Sequence, residues 1–183
     1  MTLTFWRAGL LLGLVSVVGN LAIDIYLPAL PDIARDFNAP SAAVQSSLSS
    51  FFLALAVSQL IYGPLSDMIG RRAPLLMGLC LYLAGSLGCA FAPTADVLIV
   101  ARFVQGLGAC ATMVIPRAMV RDLYSGIDAT RLLSLILLAL GVVPMVAPLM
   151  GSLIISVASW RMVFLVTTVV ALVAGFFVVT QIP

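Results

Sequence analysis

Nine arginines and seven aspartates are the only charges in this 183-residue chain, and six stretches carry none of them: 8–23, 37–66, 73–95, 103–116, 132–160 and 162–183. A helix that crosses a bilayer needs about 20 mostly apolar residues. Turn residues punctuate the runs: Pro28, Pro31, Asn38 and Pro40 separate the first two helices, and Pro93, Thr94 and Asp96 the third and fourth. The reading is an all-α integral membrane protein, one six-helix bundle over 1–183, with spans near 8–30, 41–66, 74–92, 97–118, 132–156 and 161–182. Arg7 ahead of an apolar run has the look of a signal peptide. The run is too long for one, however, and no small-x-small cleavage site follows, so it reads as a retained helix.

Composition closes off other classes. Apolar residues are 63% of the chain and charged residues 9%, against about 25% charged in soluble domains. Soluble enzymes, nucleic-acid binders and disordered tails are excluded. A net charge of +2 is too small to call for a polyanionic partner. Histidine, the commonest metal ligand and general base, is missing altogether. Cys80, Cys89 and Cys110 lack metal-site spacing and are expected to pack in the membrane interior. Neither a metal nor a cofactor is called for.

Arginine placement gives orientation. Arg7, Arg71, Arg72, Arg117, Arg121 and Arg131 fall on one side, and Arg35 and Arg161 on the other. Both termini are therefore expected in the cytoplasm, with short hairpins at 31–40, 93–96 and 157–160 outside and links at 67–73 and 119–131 inside.

Two charges lie well inside spans rather than at their ends, Asp24 in the first and Arg102 in the fourth. Each costs about 2.5–3.5 kcal/mol at a helix centre. Counted from the span centres, both lie about 7 Å outward of the middle at 1.5 Å per residue. The plain alternatives are an interfacial aspartate and a snorkelling arginine. The functional reading is a pair facing one internal cavity. Burial and a nearby guanidinium act in opposite directions on a carboxyl group's proton affinity. Asp24 can then exchange a proton, and a cationic substrate competes for the same carboxylate, which is the minimum for antiport. Asn20 and Pro28 share the Asp24 face, and Tyr26 is placed away from it by helical periodicity. Gln45, Gln59 and Gln105 either line a cavity or bond between helices.

Between the second and third spans, Gly63, Asp67, Gly70, Arg71 and Arg72 form a tight turn. Gly63 is expected to allow close helix approach, and Gly70 to supply a left-handed conformation. Asp67 and Arg71 are spaced to pair if the helix persists. This spacing resembles motif A of the major facilitator superfamily. The run Leu98 to Ala109, with Arg102, Gln105 and Gly106, resembles motif B. The run with Gly141, Pro144, Pro148 and Gly151 resembles motif C of antiporters, although Ala147 and Ser152 stand where glycines are usual. Asp24 to Pro31, Gln59 to Pro64, Arg121 to Tyr124, Ala147-Pro148 and Ser159-Trp160-Arg161 are similar to the Bcr/CflA drug-resistance branch.

That resemblance implies a drug/proton antiporter of the bacterial inner membrane. It is driven by the proton gradient without a cofactor and exports hydrophobic drug-like molecules; bicyclomycin, chloramphenicol and sulfonamides are typical. Asp24 and Arg102 match its embedded charges, and Asp67, Arg71 and Asp122 a cytoplasmic latch. The six spans read as a 3+3 inverted repeat, with an embedded charge in the first helix of each triplet. The family has twelve helices, so a second six-helix bundle is the expected partner. The chain is read as a fragment of a longer product, a truncated inactive frame or a dimerising half-transporter. Competing classes are a membrane-embedded hydrolase and a channel or structural subunit. A Ser–His dyad lacks its histidine, and an aspartyl dyad lacks its second buried aspartate.

Overall fold

A computed structural model describes residues 5–181. Its elements are α1 (Phe5–Asp24), a 3-10 turn (Leu27–Ala29), α2 (Leu30–Asp36), α3 (Ser41–Ile69), α4 (Arg72–Ala90), α5 (Ala95–Leu123), α6 (Gly126–Val157) and α7 (Arg161–Gln181). Six segments are long and apolar enough to cross a membrane, α1 with α2 counting as one. The described residues contain no strand. Residue 182, the end of the last expected span, lies outside them.

The first span is broken, where its apolar run predicted a continuous helix. Pro28 has no N–H, and its ring crowds the carbonyl four residues back, which is that of Asp24. The chain therefore leaves α-helical geometry at Asp24 and restarts at Leu30, with Pro31 in the first turn of α2, where a missing N–H costs nothing. Elsewhere the helices outrun the charge-free stretches. The expected link 119–131 shrinks to Tyr124 and Ser125 between α5 and α6. Charges mark the edge of the hydrocarbon layer, whereas a helix can continue beyond it with its charged side chains in water. Thr94 caps α5 by accepting from the Val97 N–H at 3.4 Å. Pro64, Pro116, Pro144 and Pro148 sit inside continuous helices.

Packing follows the inverted repeat. The first repeat is α1 with α2, α3 and α4; the second is α5, α6 and α7. Helix α5 packs most on α3, the second helix of the other repeat, and α1 packs most on α6, its equivalent. The third helices α4 and α7 pack together, as do the first helices α1 and α5. Burial follows the same order. In the most apolar window of each segment, 61% of α1 and of α5 is buried, but only 28% of α3 and 22% of α6. Helices α1 and α5 form the core, while α3 and α6 present broad apolar faces such as Leu53, Leu60, Leu138 and Met145.

Glycines set the closest approaches. A Cβ on Gly85 would lie 2.3 Å from the Gln105 backbone nitrogen, and one on Gly106 2.5 Å from the Phe51 carbonyl oxygen. Gly151 of α6 brings that helix against the break in the first span, where its Cβ would be 2.4 Å from the Ile25 carbonyl oxygen. Gly63 and Gly141 have no neighbour within 4 Å of a Cβ. The expected close approach at Gly63 is therefore not made, because that face of α3 is uncovered. Cys89 and Cys110 are buried, but Cys80 is exposed on α4, contrary to the expectation of interior packing.

Candidate functional site

Arg102 lies at the centre of the bundle, fully buried. Its Nη1 donates to the Gln105 side-chain oxygen at 2.7 Å and to the Ala22 carbonyl at 3.2 Å. Gln105 in turn donates to Ser86 Oγ of α4 at 2.7 Å. Of the two roles open to Gln105, it takes the interhelical bond here. Three rings surround the guanidinium, with centroids 4.2 Å away for Tyr26, 4.5 Å for Phe51 and 5.8 Å for Phe164. Such contacts contribute about 2 kcal/mol each when desolvated. The Nε and Nη2 atoms have no acceptor among the described residues, and no carboxylate is paired with Arg102 there. A buried cation held only by rings, an amide and one carbonyl is under-compensated.

Asp24 is half-buried at the last turn of α1. It makes no ion pair with Arg102, and the structure does not bring the two together as a bonded pair. The link between them is indirect, since Ala22, two residues before Asp24, supplies the carbonyl on Arg102. Asn20 lies one turn earlier, half-buried, and donates to the Ser16 carbonyl at 3.1 Å. Gln45 and Gln59 are exposed on α3. Fourteen residues separate them, close to four turns, so they share the uncovered side of that helix.

Helical periodicity set Tyr26 away from Asp24, and Tyr26 is fully buried one turn after Ala22, on the face that meets Arg102. The Tyr26 backbone keeps right-handed helical values (φ −80°, ψ −30°), so it stays on the inward stripe of the first span. Its hydroxyl bonds Ser47 Oγ at 2.7 Å while its ring lies against Arg102. Phe51, Phe164 and Ser86 were also not picked out, because apolar and small residues in apolar spans give no local signal.

A second cluster sits where α3 and α5 end and α4 begins. Helix α3 persists past Asp67, so the i,i+4 pair forms: Arg71 Nη1 lies 2.6 Å from Asp67. Arg71 Nε donates to Asp122 at 2.7 Å, and Nη1 to Ser66 Oγ at 2.6 Å. The Asp122 carboxylate leads in raising the proton affinity of Arg71 above the ordinary guanidinium value, with Asp67 adding to it. Arg72 donates to the Val179 carbonyl of α7 at 3.0 Å. Gly70 has φ 86° and ψ 168°, a region open essentially to glycine alone and distinct from the left-handed helical values expected. Of the motif C residues, Pro144 is exposed, Pro148 is half-buried, and Gly151 is buried against Ile25.

A sequence profile of the Major Facilitator Superfamily matches residues 12–183. The chain belongs to that superfamily. Similar proteins include an uncharacterised MFS-type transporter, YdgK, of Bacillus subtilis, 42% identical over 87% of this chain and 40% of that protein. Multidrug resistance protein D of Escherichia coli is 38% identical over 85% of this chain and 40% of that protein. A bicyclomycin resistance protein homolog of Haemophilus influenzae is 33% identical over 95% and 44%. The chain thus spans well under half the length of these relatives. The superfamily consists of transporters, and the chain is not an enzyme.

Proposed function

We propose that this six-helix bundle carries out drug/proton antiport together with a second bundle, exporting hydrophobic drug-like molecules across the bacterial inner membrane. The observation that carries the reading is the buried, under-compensated Arg102, held by a carbonyl two residues from Asp24. A cation without a carboxylate in the core is costly to stability. Its retention is understandable if its charge acts on a proton-carrying group nearby. Asp24 is that group, at the end of α1, where Pro28 has freed the backbone. When Asp24 is ionised it attracts Arg102 and a cationic cargo; when protonated it releases both.

The half-buried Asn20 and the exposed Gln45 and Gln59 offer polar contacts for cargo, and Gln105 fixes Arg102. The uncovered faces of α3 and α6 fit a second bundle, and the bilayer covers the rest. Asp67, Arg71 and Asp122, with the Gly70 turn and Arg72, lie at the end rich in arginine. Under the positive-inside rule that end is cytoplasmic, together with both termini. There the cluster acts as a latch between transport states. Pro144, Pro148 and Gly151 set how α6 lies on the first-span break. No cofactor is required, because the proton gradient supplies the driving force.

Energised efflux of a fluorescent drug from cells making the chain with a family C-terminal bundle tests this reading. Export should collapse with an uncoupler, and Asp24→Asn should lower it about 100-fold, the scale of a lost acid–base group. Export by Asp24→Asn at the parental rate, or a conductance that persists in it, would overturn antiport.

A further inference from the structure

The two repeats are related in more than their packing. In the first, Arg71 stands at the start of the third helix and bonds Asp122, at the end of the other repeat's first helix. In the second, Arg161 starts the third helix and bonds Asp36 at 2.6 Å, at the end of the first repeat's opening span. The two ion pairs are reciprocal and lie at opposite ends of the bundle. Asp36 also accepts from Trp160 Nε1 at 3.0 Å, and Arg161 Nη2 donates to the Ala92 carbonyl at 3.3 Å.

This second cluster continues inward. Arg161 lies over the Trp160 ring at 4.2 Å. Trp160 meets Phe164 edge-on with centroids 6.1 Å apart, and Phe164 meets Tyr26 at 5.5 Å. Tyr26 is the ring nearest Arg102. Three buried rings thus join a surface ion pair to the buried guanidinium. All three belong to one apolar cluster that also contains Cys89.

We propose that Asp36, Trp160 and Arg161 form a second clamp, the repeat-related counterpart of the Arg71 cluster, and that it acts through Phe164 to position Tyr26 against Arg102. Its consequence for transport rests on the antiport reading, but the clamp itself does not. The clamp fixes the segment after the first-span break, which has no continuous helical ladder to hold it. These three are positioning residues, acting on Arg102 through rings.

Cys89 is a reporter built into the same cluster. The full chain carrying Cys80→Ala and Cys110→Ala is labelled in membranes with N-ethylmaleimide, which then reads only the opening of this core. Asp36→Asn and Arg161→Gln should each raise the Cys89 labelling rate about fivefold, as local opening becomes easier. Phe164→Leu should do the same with the ion pair intact. Asp32→Asn removes the neighbouring Asp32–Arg35 pair of α2, which is outside the clamp, and should leave the rate unchanged. If Asp36→Asn fails to reach the membrane, Arg161→Gln gives the same reading. Parental labelling in the clamp variants, or an equal rise in Asp32→Asn, would overturn the proposal. A flat response in Phe164→Leu would remove the relay. Efflux by Asp24→Asn is a separate measurement, so either reading can fail without the other.

Discussion

Arg71 and Arg102 are the same side chain in two opposite settings. Arg71 sits at a helix end with two carboxylates and a hydroxyl, about a fifth exposed. Arg102 sits in the core with three rings, an amide and a carbonyl, and none of its surface is exposed. The setting that could best use a counter-charge lacks one, and the setting where water already screens charge has two. A pair at the rim contributes about 0–1 kcal/mol, whereas a fully compensated core arginine would be neutral and inert. The uncompensated one gives up stability and, on the antiport reading proposed above, keeps a charge that a nearby proton can steer.

The contrast can be broken most severely at Arg102. Arg102→Met should leave thermal stability within about 2 kcal/mol, since relief of the buried unpaired charge offsets the lost ring contacts, and abolish energised export. Thermal unfolding in detergent and efflux measured together check this; a variant that unfolds would mean the charge is structural. Gly85→Val sharpens the role of the bed on which Arg102 lies. A branched side chain would collide with the Gln105 backbone, and overpacking of this kind costs about 3 kcal/mol. Loss of properly inserted protein is the expected readout.

Tyr26→Leu removes a ring from Arg102 and the bond to Ser47. It should lower stability by about 1–2 kcal/mol, with Tyr26→Phe recovering most of it, since the ring stays. The smallest effect belongs to the rim. Arg71→Gln should cost below about 1 kcal/mol, and the difference should vanish in high salt, where exposed charges are screened. An effect of Arg71→Gln that persists in high salt would erase the distinction between the two settings.

The chain's charge-free runs determined that six helices cross a membrane, because uniformly apolar runs of this length satisfy their own backbone in hydrocarbon as helices, whereas barrel strands are shorter and alternate in polarity. They also marked Asp24 and Arg102, since a charge in an apolar run is conspicuous by cost alone. The Asp67–Arg71 pair was legible too, as a local i,i+4 relation on a helix. What surrounds Arg102 was not legible. Tyr26, Phe51, Phe164 and Ser86 come from four different helical segments, and nothing in a span of apolar residues says which of them will face the guanidinium. That was decided by helix packing, in which Gly85 and Gly106, lacking side chains, let neighbouring helices close around α5. Sequence fixes local cost and periodicity residue by residue; who meets whom across helices depends on backbone approach distances that exist only once the bundle has packed.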